Sequence, residues 1–192
     1  MDKGKVIHEV LENLRTLSCK DVPMIIALDG RCASGKTDLA EKLQKMINCT
    51  VFHMDDFFLR PKQRSKERLN TPGGNVDYER FREEILMPLK SGMQKISYQP
   101  YDCHEQQLLQ PVVVEPTQTV LVEGSYSCHP ELWDFYSLHI FLTVNPDEQL
   151  RRIARRNGKD NIRQFQEQWI PLEEQYFMAY QVIERCDICF ET

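Results

Sequence analysis

The stretch Met24-Ile25-Ile26-Ala27-Leu28-Asp29-Gly30-Arg31-Cys32-Ala33-Ser34-Gly35-Lys36-Thr37 decides the fold. Its first half, traced back to Val22, is a continuous apolar run bounded by Asp29-Gly30, the pattern of a strand buried on both faces. Its second half reads G-x-x-x-x-G-K-[ST] in full and runs into Leu39, Leu43 and Met46, one stripe of a helix. Strand, glycine-bounded loop and helix, in that order, make a phosphate cradle. Two glycines let the backbone curl until its N–H groups point inward, and the helix opening at Lys36 adds the positive end of its dipole. Gly30, Arg31, Cys32, Ala33, Ser34, Gly35, Lys36 and Thr37 are therefore expected to hold a nucleoside triphosphate. Lys36 should reach its β- and γ-phosphates, and Thr37 should ligate Mg2+. Chance would produce the bare pattern in about one chain in a hundred of this length, and the flanking strand and helix make it rarer still.

Outward from this loop the same alternation repeats. Strands are expected at 50–54, 119–123, 138–144 and 187–190, with helices between them. Val6, Ile7, Val10, Leu11, Leu14 and Leu17 recur at helical spacing, which places an amphipathic helix at about 4–18 within an N-terminal segment 1–20. The span 77–90 carries Phe81, Ile85 and Leu89 on one face, with Pro88 near its end. Pro146 and Gly158 frame an arginine-rich helix, the candidate lid at 146–160, and the helical stretch 160–184 is expected to bend at Pro171. Two short strands at 95–98 and 110–114 read as a hairpin excursion spanning 93–115. The whole predicts one α/β domain over 1–192: a doubly wound, mostly parallel five-stranded sheet with helices on both faces, the P-loop NTPase fold.

A net charge of −5 supplies no broad basic surface for a nucleic acid polymer. Basic residues do cluster at 60–68 and 151–156. The first cluster has no motif and reads as a solvated loop. Seven cysteines without disulfide-like spacing and a polar start fit a reducing cytoplasm, and no run approaches the roughly 18 apolar residues of a membrane span.

Ligands of open α/β sheets sit beyond the carboxyl ends of the strands, so acids that close other strands should face the loop. Asp55 follows Val51-Phe52-His53-Met54, and Glu123 closes Val120-Leu121-Val122. One of them could orient an acceptor hydroxyl and take its proton while the other holds Mg2+. His53 should point to the opposite side of its strand, into the core or behind the site. Cys32 lies within the loop, where oxidation would disturb phosphate binding. Cys186-x-x-Cys189 has metal-like spacing but no second pair.

From Met24 to about Phe190 the chain resembles the uridine kinase and phosphoribulokinase group of P-loop kinases. The resemblance rests on the loop, on Met54-Asp55-Asp56-Phe57-Phe58, Tyr98-Gln99-Pro100-Tyr101-Asp102 and Val122-Glu123-Gly124. It extends to the arginine segment 150–157 and the closing Cys186-Asp187-Ile188-Cys189-Phe190. It implies ATP and Mg2+ as cofactors, Asp55 as catalytic base, Glu123 beside the metal, and a hairpin near Tyr101 and His104 that covers the acceptor. It also implies catalytic lid arginines, for which Arg152 and Arg156 match best. Guanidinium forks suit a loose phosphoryl-transfer transition state.

The departures bear on the acceptor. Uridine kinases carry an Asp-His-Pro segment for the ribose hydroxyls, where this chain has Asn70-Thr71-Pro72-Gly73-Gly74-Asn75-Val76-Asp77. Cys103 stands where an aromatic is expected. Asp77 either replaces the missing acid or caps the next helix. The expectation is a kinase of some other small hydroxylated metabolite, poor on uridine and cytidine, with a homo-oligomer left open. The alternative is a nucleotide-switched regulatory NTPase, but N-K-x-D is missing and no aspartate has a glycine three residues later.

Overall fold

The computed structural model describes residues 3–16 and 22–192. Helix α1 (Lys3–Thr16) precedes strand β1 (Met24–Gly30); Leu17 and the remainder of the expected N-terminal segment lie outside the described residues. The loop then leads into α2 (Lys36–Ile47), β2 (Thr50–His53), a 3-10 turn (Met54–Phe57), and the short helices α3 (Lys66–Asn70), α4 (Tyr78–Phe81) and α5 (Met87–Lys90). The excursion holds β3 (Ile96–Tyr98), β4 (Tyr101–Asp102), β5 (Gln107–Leu108) and β6 (Val112–Val114). After it come β7 (Thr119–Glu123), β8 (Leu138–Thr143), α6 (Pro146–Asn157), α7 (Ile162–Gln164), α8 (Ile170–Tyr180), α9 (Val182–Arg185) and β9 (Ile188–Glu191).

Five strands form one sheet in the order β2-β7-β1-β8-β9, and every pairing is parallel. The sheet is α/β with the loop-bearing strand at its centre. Successive side chains of a strand point to opposite faces, and here both faces are buried. Ile25 and Ala27 join Phe52, Val120, Val122, Phe141 and Phe177 in one core. Ile26 and Leu28 join Val6, Val10, Leu39, Leu43, Leu121 and Ile140 in the other. The excursion is two antiparallel ladders, β3 with β6 and β4 with β5.

Two prolines sit inside helical stretches, and the chain treats them alike. A π-helical segment (Arg82–Leu86) stands before Pro88, and another (Phe165–Trp169) stands before Pro171. A proline ring lacks an N–H and collides with the carbonyl four residues back, and the wider π spacing relieves both problems. The stretch expected to bend at Pro171 carries such a π segment directly before α8. The last helical stretch is also divided at Gln181, whose φ of 50° is left-handed.

Candidate functional site

Register brings the carboxyl ends of the strands together. Glu123 lies level with Leu28 on β1 and with His53 on β2, while Gly30 lies level with Leu142 on β8. Gly30 has a φ of 145°, and a Cβ there would stand 2.1 Å from the Leu142 carbonyl oxygen, so no larger residue lets the loop leave the sheet this close to β8. Gly35, at a left-handed φ of 95°, opens α2, and no side chain caps that helix. Its first-turn N–H groups are therefore left for an anion. Ser34 Oγ is buried in the loop and has no hydrogen-bond partner among the described residues.

The buried Lys36 ammonium folds across the loop, donating to the carbonyls of Gly30 at 2.7 Å and Arg31 at 3.0 Å, with Ser125 Oγ at 3.4 Å. Thr37 Oγ1 lies 3.4 Å from each oxygen of the buried Glu123 carboxylate. His53 takes the second of the two places its sequence reading allowed, behind Glu123. It is 45% exposed rather than core, and its Nδ1 lies 2.6 Å from Glu123 Oε1. The reason is register, since His53 and Glu123 are partners on neighbouring parallel strands and so share a face. That hydrogen bond raises the His53 pKa, partly offset by burial.

Asp55 stands on the 3-10 turn that continues β2, exposed to the cleft. Enclosure by the surrounding residues raises its pKa, and the Glu123 charge adds to the rise. Lys36, His53 and Arg156 pull it the other way, so these five side chains share one field. Arg156 Nε donates to Asn157 Oδ1 at 2.8 Å. Arg152 is placed differently. It pairs with Glu148 at 2.9 Å and donates to Thr192 Oγ1 at 3.0 Å and to the Ala33 carbonyl at 3.3 Å, which clamps the outer side of the loop.

The hairpin side of the site is tied together by Arg80. Its guanidinium donates to the Gln99 carbonyl at 2.6 Å and the Asp56 carbonyl at 3.1 Å, joining the hairpin to the Asp55 turn. Tyr101 is buried, its hydroxyl 3.5 Å from Arg64, and so offers no open stacking face. The exposed His104 follows on the turn, where its backbone N–H donates to Asp102 Oδ1 at 2.7 Å. Asp77 is committed within the protein. Its Oδ1 caps α4 through the Arg80 N–H at 3.2 Å, and its Oδ2 accepts from Gln63 at 2.7 Å. The basic stretch 60–68 is accordingly more than a solvated loop: Arg60 approaches Asp77 at 3.7 Å, and Arg68 pairs with Glu79 at 2.6 Å.

Several residues at the loop were not found from sequence. Glu173 on α8 is buried; it accepts the Cys32 N–H at 2.9 Å and the Ser125 hydroxyl at 2.6 Å. Glu174 holds Arg31 through two bonds, at 2.7 and 2.9 Å. Asp29 is fully buried and accepts from the N–H groups of Gly30, Tyr126 and Cys128 and from the Tyr176 hydroxyl. Burial raises its pKa to about 6 despite these donors. The one legible signal was an aspartate ending an otherwise apolar strand; nothing in the spacing of Glu173 points 140 residues back. Burial, with the Glu173 charge beside it, pushes the Cys32 thiol to about 12, so the group stands as the thiol rather than the thiolate.

The Glu173 carboxylate faces a loop meant for phosphates. Replacing it by glutamine keeps an acceptor for the Cys32 N–H and removes a like charge, so MgATP should bind about five-fold more tightly by calorimetry. Unchanged or weaker binding would show that the charge is needed to hold the loop.

A parallel sheet with this loop at the end of its central strand defines a P-loop nucleotide-binding protein with the fold of the uridine kinase type of P-loop kinases. A family model described as AAA domain matches residues 26–171, and the chain belongs to that family. Solved structures share the fold. A possible uridine kinase from Bacillus stearothermophilus superposes with a TM-score of 0.73 at 19% identity, over 99% of this chain and 100% of that one. The D-glycerate 3-kinase of Cryptococcus neoformans var. grubii gives 0.63 at 18% identity, over 90% and 87%. Among curated proteins, the tRNA-specific adenosine deaminase subunit tad2 of Schizosaccharomyces pombe is 27% identical over 142 residues, which are 70% of this chain and 34% of that protein. The chain thus spans about a third of the length of that relative. Among the described residues no helix is long and apolar enough to cross a membrane.

Proposed function

We propose that this protein is a kinase that transfers the γ-phosphoryl group of ATP to a hydroxyl of a small molecule. The observation that carries the reading is Asp55, a carboxylate of raised proton affinity in the same electrostatic field as Lys36 of the phosphate loop. A regulatory switch needs no such base.

The nucleotide fits the residues present. Among the described residues Ser34 Oγ has no partner and no side chain caps the α2 N-terminus, so phosphate oxygens would satisfy both. Thr37 and Glu123 offer a hydroxyl and a carboxylate close together, hard oxygen donors suited to Mg2+. Bound there, the ion would neutralise charge on the β- and γ-phosphates. His53 orients Glu123 from the other side.

In transfer, the acceptor oxygen attacks the γ-phosphorus as the bond to the β–γ bridging oxygen breaks, and its proton passes to Asp55. Lys36 and Arg156 stabilise the charge on the transferring group, and Arg152 holds the loop in register from behind. The hairpin with Tyr101 and His104 closes the acceptor side. Asp77 supports this wall through Gln63 and Arg80 rather than offering a free carboxylate. Residues 1–192 act as a single kinase unit in this reading, with 146–160 as the lid.

The test is a screen of hydroxylated metabolites that records ADP formation above the water-only background. Saturable transfer to one class of acceptor is expected, with uridine and cytidine poor because no ribose-binding carboxylate is free. ATP turnover that no acceptor accelerates would reject the kinase reading, and uridine phosphorylation with kcat/KM above about 10^4 M−1 s−1 would reject the specificity.

A further inference from the structure

Four arginines, Arg60, Arg64, Arg68 and Arg80, lie on the segment that runs from just after the Asp55 turn to α4. Three are neutralised by carboxylates: Arg60 by Asp77, Arg68 by Glu79, and Arg80 by Asp77 and Glu84. Arg64 forms no ion pair among the described residues. It is nevertheless held in place. Its Nε donates to the Leu59 carbonyl at 3.0 Å, and its Nη2 lies 3.5 Å from the hydroxyl of Tyr101 at the base of the hairpin. An arginine fixed at one edge by neutral acceptors presents the rest of its fork already oriented, which lowers the cost of gripping a planar or tetrahedral anion.

The neighbouring residue links this fork to the reacting end of the site. The Cys103 thiol is pushed up by burial, while the Arg64 charge lowers it and the Asp55 charge raises it. Geometry ties the two together: Leu59, which holds Arg64, follows the Asp55 turn (Met54–Phe57) by two residues, and Tyr101, its other partner, stands on the hairpin that Arg80 joins to that turn. A small molecule held between the turn and the hairpin would meet Asp55 with a hydroxyl and Arg64 with its far end. The acidic residues nearby leave the fork uncontested: Asp77 is engaged by Gln63, Arg60 and Arg80, and Asp102 accepts the N–H groups of His104 and Glu105.

We propose that Arg64 selects the acceptor, which is a small hydroxylated anion whose carboxylate or phosphate group the Arg64 fork binds while Asp55 receives its hydroxyl. The inference rests on the kinase reading and names its substrate class. It accounts for a departure noted in the sequence, since a site without a ribose-binding acid has no use for two neutral hydroxyls but keeps an unpaired positive charge.

The experiment compares acceptors matched except for the anion, in the full-length protein with MgATP: glycerate against glycerol for a carboxylate, and ribose 5-phosphate against ribose for a phosphate. At least one anionic member should exceed its neutral partner ten-fold or more in kcat/KM, and which one does so identifies the anion. Arg64→Gln should raise the KM for that acceptor about 10- to 100-fold, the range of a lost charge-assisted pair, and leave the KM for ATP within two-fold. Arg64→Lys should recover part of the loss, because charge remains without the fork. Neutral members used as well as anionic ones, or transfer confined to neutral acceptors, would overturn the proposal and leave the kinase reading standing. So would an equal fall in kcat for all acceptors in both variants, the mark of a purely structural arginine. No ADP from any acceptor would overturn both.

Discussion

Lys36→Ala is expected to reduce turnover by about 10^2-fold or more, or to abolish tight binding of the triphosphate altogether. The ammonium donates to the Gly30 and Arg31 carbonyls and lies near Ser125, so it is held over the phosphate cradle rather than swinging through solvent. A charge placed in advance does not have to reorganise when negative charge shifts during transfer, which is why preorganised cations contribute more than mobile ones. The fold should survive the change. Lys36 lies outside both apolar cores, and Gly30 keeps its close packing against Leu142. Calorimetric titration with MgATP, steady-state turnover and a thermal melt together decide the matter. Near-normal turnover in a well-folded variant would remove Lys36 from the mechanism.

Asp55→Asn should lower transfer by about 10^2-fold or more while MgATP affinity stays within a few-fold, since general-base assistance is typically worth that much. The pH profile provides a readout that a structural role would not move. A base acts only when deprotonated, and enclosure together with the Glu123 charge raises the Asp55 pKa. Activity in the wild-type protein should therefore rise with pH through a limb placed above the ordinary aspartate range, and the asparagine variant should lose that limb. Glu123→Gln should show the opposite bias, a larger Mg2+ requirement with a smaller loss at saturating metal, because Glu123 faces Thr37. If Asp55→Asn instead weakens metal dependence and spares transfer, the two carboxylates exchange roles.

The fold was legible because its signals are local. An apolar run, two glycines at fixed spacing and an amphipathic stripe lie within 25 residues, and each follows from backbone geometry that neighbouring residues impose on one another. The same holds for β7, placed at 119–123 as expected, and for the helix framed by Pro146 and Gly158. Other strand ends moved by a residue or two, as β9 did from 187–190 to Ile188–Glu191, because a strand ends where its partner's ladder ends.

What the sequence by itself determined is the phosphate loop, the α/β class and the two acids at strand ends, for these depend on spacing along the chain. Only the tertiary structure decided the rest. Register paired His53 with Glu123, a relation that alternation along β2 could not reveal, because it belongs to two strands 70 residues apart. Packing of α8 against the loop brought in Glu173 and Glu174, acids that look like any solvated pair on a helix until the helix is docked. Asp77 was an open choice between ligand and cap until Gln63 and Arg80 came within hydrogen-bond distance of it. Arg64 became distinct from its three neighbours only when their partners were in place. The charge of a side chain is written in the sequence, but whether that charge is cancelled depends on what folding places within about 4 Å of it.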